Sequence, residues 1–332
     1  MYNYIIMLNK YTISGTSNID SEQASGPYLD ENFWPTFQED MENFKKNIKN
    51  HFENNTSYHV LRVGHAEYCF LSRIVPDDTS RQGKLITKQI LPRHYSGKQT
   101  IKQYIDCYES LLSVDCITTQ IGWDFKGWLN DIIHFRDQYK LFKQSNNLTE
   151  LFNHTHLFNK NYKIRSQSEL MNFPLDIIYG LIANKWLLKE FKNQIGLIGN
   201  EKKLELIKKL LEHNEYKKYI ENDYFIEYVN VPQRQAIEDD NIEKKILEQI
   251  KNSKCKIFFV GMGMAKLKFF NKIRKITNAI IIDVGYGLDA IAGVCDCNRP
   301  YFGSWQNYKL NNYNYSHIDM CGSPSWNNVI TI

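Results

Sequence analysis

Two side chains that can bind a metal ion lie close together in the stretch VLRVGHAEYCFL, residues 60–71. His65 and Glu67 follow a short apolar run ending in Gly64, where the pattern changes from strand to helix. A divalent cation held at such a strand end can neutralise the charge of a diphosphate leaving group. The alternative is that Glu67 lies in the first turn of a helix, where its carboxylate interacts favourably with the helix dipole, and that His65 is an exposed residue without a role.

A second candidate site is the glycine-containing turn of FFVGMGMAKLKFF, which places Gly261 and Gly263 between a predicted strand and a predicted helix. Glycine lets backbone N–H groups approach a phosphate, and the helix dipole favours negative charge there. The pattern is not a complete G-x-G-x-x-G, and no P-loop Lys-Ser/Thr pair follows it. It therefore predicts either contact with a nucleotide or a tight turn that needs glycine for its backbone angles.

The third candidate is IIIDVGYGLDAIAG, which carries Asp283 at a predicted strand end, then Gly285 and Asp289. Taken alone, it resembles the D-x-G-x-G motif of S-adenosylmethionine-dependent methyltransferases. Leu288 and Asp289 replace the small residues usual after the second glycine, and only 43 residues follow Asp289. A methyltransferase is therefore kept as an alternative that would require a permuted sheet.

The elements that would position these residues alternate regularly in the second half of the chain. The apolar runs QIGLIG, YFIEYVNVP, CKIFFVGMG and NAIIIDVG are separated by amphipathic helical patterns. This order predicts an α/β, Rossmann-like fold with a mostly parallel sheet and helices on both faces. Because ligands bind at the carboxyl ends of such strands, the segments at Gly64, Gly261 and Asp283 are expected to converge on one crevice.

The chain is predicted to contain one domain. Residues 1–35 have no apolar periodicity and are interpreted as a loosely ordered N-terminal arm, followed by a single α/β domain at 36–332. The apolar segment 173–191 is predicted to be one buried helix, and the aromatic segment after residue 300 a tail that wraps over the domain.

Composition excludes several classes of protein. The net charge is +4 without a long block of like charge, so no nucleic-acid partner is expected. No apolar run reaches the 18 residues of a membrane span, and no signal-peptide pattern is recognised. Several of the seven cysteines occur in apolar surroundings, which favours reduced thiols and a cytoplasmic location. The spacing of Cys295, Cys297, His317 and Cys321 lacks the paired C-x-x-C of a zinc site.

Taken in order, several segments resemble the GT-D-type glycosyltransferase family over about Tyr58 to Trp305. They are LRVGHAEYCFL, SLLSVDCITTQIG, FPLDIIYGLIANKWLLKEFKNQIGLIGNEKKLELI, YVNVPQRQA, CKIFFVGMGMAKL and NAIIIDVGYGLDAIAGVCDCNRPYFGSW. Members carry an R-x-G-D-x-E-like segment after an early strand, then strand–glycine–helix units, then a late I-D-I-G…D…G…R segment. Each motif is short, and their common order carries most of the resemblance.

The resemblance implies a metal-assisted transfer of a sugar from a nucleotide-diphosphate sugar, typically a UDP-sugar, to a glycan or glycoprotein acceptor. The oligomeric state is open, and a homo-oligomer is one arrangement it allows. The catalytic candidates are Glu67, Asp283 and Asp289, of which either aspartate could be the general base or the anchor of the acceptor hydroxyl. The residues expected to contact the donor are Arg62, Gly64, Gly261, Gly263, Gly285 and Arg299.

His65 departs from the family pattern, which has aspartate at this position. If His65 and Glu67 both bind the metal, Mn²⁺ is favoured over Mg²⁺, because imidazole is a softer ligand than carboxylate. His65 could instead contact the diphosphate as a cation, or mark a non-catalytic relative that only binds a nucleotide sugar or a glycan. The aromatic residues that could stack on a sugar, or pack in the core, are Trp123, Tyr301 and Trp305.

Overall fold

The computed structural model describes residues 37–63, 106–107, 109–111, 113–119, 171–296, 302, 305–318 and 329–332. The predicted arm at 1–35 lies outside these residues. That 36–332 form a single domain stays a prediction.

Within these ranges, seven strands form one sheet in the order β3-β2-β1-β7-β6-β4-β5, and every neighbouring pair is parallel. The prediction of a Rossmann-like, mostly parallel sheet is thus confirmed. The strands are β1 His59–Val63, β2 Cys116–Thr119, β3 Met171–Pro174, β4 Ile195–Gly199, β5 Glu227–Asn230, β6 Ile257–Gly261 and β7 Ile280–Asp283.

Helices cover both faces of this sheet, as predicted. One face packs against α1 Phe37–Glu53, α2 Leu175–Ala183, α3 Trp186–Glu190, α4 Glu201–Leu210, α5 Asn214–Ile220 and α9 Gly287–Ile291. The other packs against α6 Gln233–Glu238, α7 Asp240–Asn252 and α8 Lys266–Arg274. Successive strand residues alternate between the two cores: Phe258 and Val260 lie in one, and Ile257 and Phe259 in the other.

The segment 173–191, predicted to be one helix, is instead a strand and two helices. Met171–Pro174 pairs with β2, and the helical chain is interrupted between α2 and α3. At this break Lys185 adopts a left-handed φ of 65°, and the Asn184 side chain accepts a hydrogen bond from the Trp186 N–H. Both helices face the same core, so the apolar periodicity continues across the break. The sequence pattern therefore does not reveal that the helix is interrupted.

The C-terminal segment packs against the same core as α9. Phe302, Trp305 and Tyr308 are buried there, in agreement with a tail that covers the domain. Two short strands in this segment, β8 Asn307–Lys309 and β9 Val329–Thr331, form a separate parallel pair. No helix in the described part of the chain is long and apolar enough to cross a bilayer.

Candidate functional site

Three charged residues meet at the carboxyl end of the central strands. Arg62 is the penultimate residue of β1, Asp283 is the last residue of the neighbouring strand β7, and Lys266 is the first residue of α8, shortly after β6. Because β1, β7 and β6 are adjacent in the sheet, their carboxyl ends bring these side chains together. We call this group the Arg–Asp–Lys cluster.

Asp283 is the centre of the Arg–Asp–Lys cluster. Its carboxylate is 1% exposed, and its Oδ2 lies 2.7 Å from Nζ of the fully buried Lys266. The same oxygen accepts the backbone N–H of Arg62 at 3.2 Å and lies 3.8 Å from Nε of that residue. The other oxygen, Oδ1, accepts the backbone N–H of Gly285 at 3.1 Å. Both carboxylate oxygens are therefore occupied by donors from three different segments.

Arg62 is held in place from two sides. Its Nη1 donates to the Tyr179 hydroxyl of α2 at 3.1 Å. Its guanidinium also occupies the space beside Gly285, where an added Cβ would lie 2.8 Å from Cζ of Arg62. Gly285 has a φ of +44°, so this turn needs glycine both for its backbone angles and for the close approach of the arginine.

The described side chains of the Arg–Asp–Lys cluster carry two positive charges and one negative charge. A lysine is rarely buried without a partner, because desolvation of its ammonium group is unfavourable, and Asp283 compensates for that burial. The net positive charge that remains suits an anion such as a phosphate, and the side chain able to reach it is that of Arg62, which is 21% exposed. It does not suit a divalent cation at Asp283, whose oxygens already accept hydrogen bonds from Lys266 Nζ and from the backbone N–H groups of Arg62 and Gly285.

Asp289 lies in a different environment from Asp283. It belongs to α9, is 6% exposed, and pairs with Lys203 of α4, where Oδ1 and Nζ are 2.5 Å apart. The two aspartates predicted to act at one site thus have separate lysine partners. The structure brings Asp283 together with Arg62 and Gly285, and it brings Asp289 together with α4.

Gly261 is the last residue of β6, and Gly263 lies in the turn between β6 and α8. Gly261 pairs with Gly199 of β4, and a Cβ on either glycine would contact Leu288 at 2.8 or 2.5 Å. Leu288 of α9 therefore fills the space beside these strand ends. Gly263 begins a short 3-10 turn with a φ of +53° that leads into Lys266.

Several predicted site residues lie outside the described residues: Gly64, His65, Glu67, Arg299, Trp123 and Tyr301. Within the described ranges, no group of three His, Cys, Asp or Glu side chains is arranged to hold a metal ion. Trp305 is 2% exposed and packs edge-on against Phe302 and Tyr219 at ring distances of 6.3 and 5.3 Å. This burial favours core packing of Trp305 over stacking on a sugar.

Lys266 and Tyr179 belong to the site but were not predicted from the sequence. Lys266 does leave a signal, because a cation in the first turn of a helix opposes the helix dipole and needs a compensating partner. Tyr179 has no such signal, since one tyrosine in an apolar helix is ordinary core composition.

No protein-family model, curated protein or solved structure matches this chain. The arrangement of Arg62, Asp283 and Lys266 is therefore the main basis for proposing a function.

Proposed function

We propose that the protein is a glycosyltransferase that uses a nucleotide-diphosphate sugar, with UDP-sugars as the first candidates, and a glycan or glycoprotein acceptor. The observation that carries the proposal is the Arg–Asp–Lys cluster, which gathers two cationic side chains at the carboxyl end of β1 and β7. As the bond from the sugar to the diphosphate breaks, negative charge develops on the phosphate oxygens. Fixed cations beside that position would stabilise the transition state.

In this proposal Asp283 is a positioning residue. Its two oxygens are engaged by Lys266, Arg62 and Gly285, so they orient the cations and are not aimed at an acceptor hydroxyl. Asp289 is likewise buried and paired with Lys203, so Glu67 is then the carboxylate left to accept the proton of that hydroxyl.

His65 and Glu67 would hold a divalent metal in the proposed enzyme, with Mn²⁺ favoured over Mg²⁺. In the sequence they follow Arg62 by three and five residues. When bound, the metal would share the neutralisation of the diphosphate with the protein cations. The buried thiols of Cys107, Cys116, Cys255 and Cys295 form no disulfide within the described residues and support a reducing, cytoplasmic location in the same proposal.

A methyltransferase is less well supported by the geometry. Glycine in such a turn would let a ligand approach the backbone closely, whereas here the guanidinium of Arg62 occupies the space beside Gly285. A non-catalytic binder would use the same cationic site, so it differs from the enzyme only in turnover.

The test combines ligand binding with turnover. Purified protein is melted with UDP, UDP-sugars, GDP-sugars and S-adenosylmethionine, each with and without Mn²⁺, because a ligand specific for the folded state raises Tm. Release of free nucleotide from the best donor then separates an enzyme from a binder. A shift with S-adenosylmethionine alone would overturn the proposal.

Arg62→Gln and Arg274→Gln form a matched pair for this test. Arg274 is also a partly exposed arginine in an ion pair, with Asp115 at the amino end of β2, the opposite edge of the sheet. We expect Arg62→Gln to lose the donor-induced Tm shift while Arg274→Gln keeps it, although both lower the Tm of the free protein. An equal donor shift in both variants would remove Arg62 from the site.

A further inference from the structure

A basic pocket opens at the edge of the sheet opposite the Arg–Asp–Lys cluster. It has a volume of about 480 Å³ and lies near the amino ends of β4 and β5. Its lining consists of charged and polar side chains from α3, α5 and the loops that follow them: Lys189, Lys192, Asn214, Lys217, Lys218, Glu221 and Asp223.

The positive charge of this basic pocket is only partly compensated. Lys189 pairs with Glu221 and Lys192 with Asp223, in both cases at 2.9 Å. Lys217 and Lys218 form no ion pair within the described part of the chain, so two positive charges remain in excess. The lining carries four lysines against two carboxylates, so its net charge is positive and an anion is the expected occupant.

Two exposed apolar side chains lie close in sequence to the basic pocket's lining residue Asp223. Tyr224 is 52% exposed and Ile226 is 41% exposed, and they follow Asp223 by one and three residues. They are the large hydrophobic side chains that stand exposed in the described part of the structure. Exposed apolar groups beside an uncompensated basic cluster are characteristic of surfaces that bind the membrane interface.

We propose that the basic pocket docks the protein on an anionic lipid surface. Lipid phosphates would pair with Lys217 and Lys218, while Tyr224 and Ile226 would enter the interface. Nucleic acid is less well matched, because a single tyrosine offers little base stacking and an exposed isoleucine adds nothing to phosphate recognition. The inference is independent of the proposed glycosyltransferase activity.

The direction of the sheet gives this docking a geometric consequence. Parallel strands of five residues separate their two ends by roughly 16 Å. With the amino ends of β4 and β5 on the lipid surface, the Arg–Asp–Lys cluster at the carboxyl ends would face the aqueous side. Docking would therefore leave the candidate donor site open.

Vesicle co-sedimentation tests the proposal directly. The full chain is mixed with vesicles of phosphatidylcholine alone or of phosphatidylcholine and phosphatidylglycerol in equal parts. Binding is expected only to the anionic vesicles and should fall as salt is raised from about 0.1 to about 0.5 M, because screening weakens exposed charges. The double variant Lys217→Gln/Lys218→Gln should bind about 30-fold more weakly, and Tyr224→Ser/Ile226→Ser should also lose binding.

Lys244→Gln/Lys245→Gln is the matched control, because it removes an adjacent exposed lysine pair from α7 on the other face of the sheet. It should bind as the wild type does. Equal weakening by both lysine pairs would mean general charge attraction and would overturn the assignment to the pocket. The proposal would equally be overturned by absence of binding to anionic vesicles, or by a Lys217- and Lys218-dependent response to inorganic phosphate or a single-stranded RNA without vesicle binding.

Discussion

Substitution of Gly285 by alanine should disturb the candidate site, because the added methyl group would clash with Arg62. A Cβ there would lie 2.8 Å from both Cζ and Nε of Arg62, in a residue whose φ is +44°. The clash and the backbone strain act together, so Gly285→Ala should lower the free energy of unfolding by about 2 kcal/mol. Because Arg62 must move, the Tm shift caused by the donor should also shrink. Urea denaturation and ligand melting measure the two effects.

Gly293→Ala is the control for this substitution. Gly293 has a φ of +70°, and its added Cβ would lie 2.6 Å from the backbone oxygen of Tyr308, so this variant should also be destabilised. It contacts the C-terminal segment and not Arg62, and its donor response should match that of the wild type. If Gly285→Ala kept a full donor response, the position of Arg62 would not matter for binding.

At the scale of elements, the regular part of the fold was predictable from the sequence. Each of β4, β6 and β7 is a short apolar run beside a glycine or an aspartate, and a buried parallel strand gives this pattern because both of its faces are covered. The helices α5, α6 and α9 were missed, because they contain only five to seven residues and cannot display two turns of amphipathic periodicity.

The start of α4 carries a prediction about helix capping. Asn200 follows β4 directly, and its side chain accepts a hydrogen bond from the Lys202 N–H at 3.0 Å. Asn200→Ala leaves that N–H without its acceptor and should lower the free energy of unfolding by about 1 kcal/mol. Asn200→Asp keeps the acceptor and should remain within a few tenths of a kcal/mol of the wild type. Equal losses in both variants, measured by urea denaturation, would contradict the capping role.

At the scale of the whole molecule, the convergence of strand ends was predictable, but the partners within the site were not. Arg62 and Asp283 lie 221 positions apart in the chain. They meet because β7 inserts between β1 and β6. Strand order depends on how all the connections pack together, and no local pattern encodes it. The sequence therefore identifies Arg62 and Asp283 as candidate site residues, but it does not predict the ion pair between Asp283 and Lys266.

The stability of the whole molecule should depend on a histidine at the opposite edge of the sheet. His59 is the first residue of β1, is fully buried, and lies edge-on to Phe270 at a ring distance of 6.2 Å. Burial, together with the positive charge of Arg274, lowers the pKa of His59 from 6.5 to about 3. In the unfolded chain the pKa returns to about 6.5. Between these two values the unfolded state binds a proton that the folded state does not.

The contribution of His59 to the free energy of unfolding should therefore be fully present above about pH 6.5. It should be lost as the pH is lowered from about 6.5 towards 3, by up to about 1.4 kcal/mol per pH unit. Urea denaturation between pH 7 and pH 4 measures the slope. His59→Gln removes the titrating group, so its stability should fall less steeply with acid than that of the wild type. His213→Gln, which replaces a partly exposed histidine, should keep the wild-type slope. An unchanged slope in His59→Gln would show that other groups govern acid unfolding.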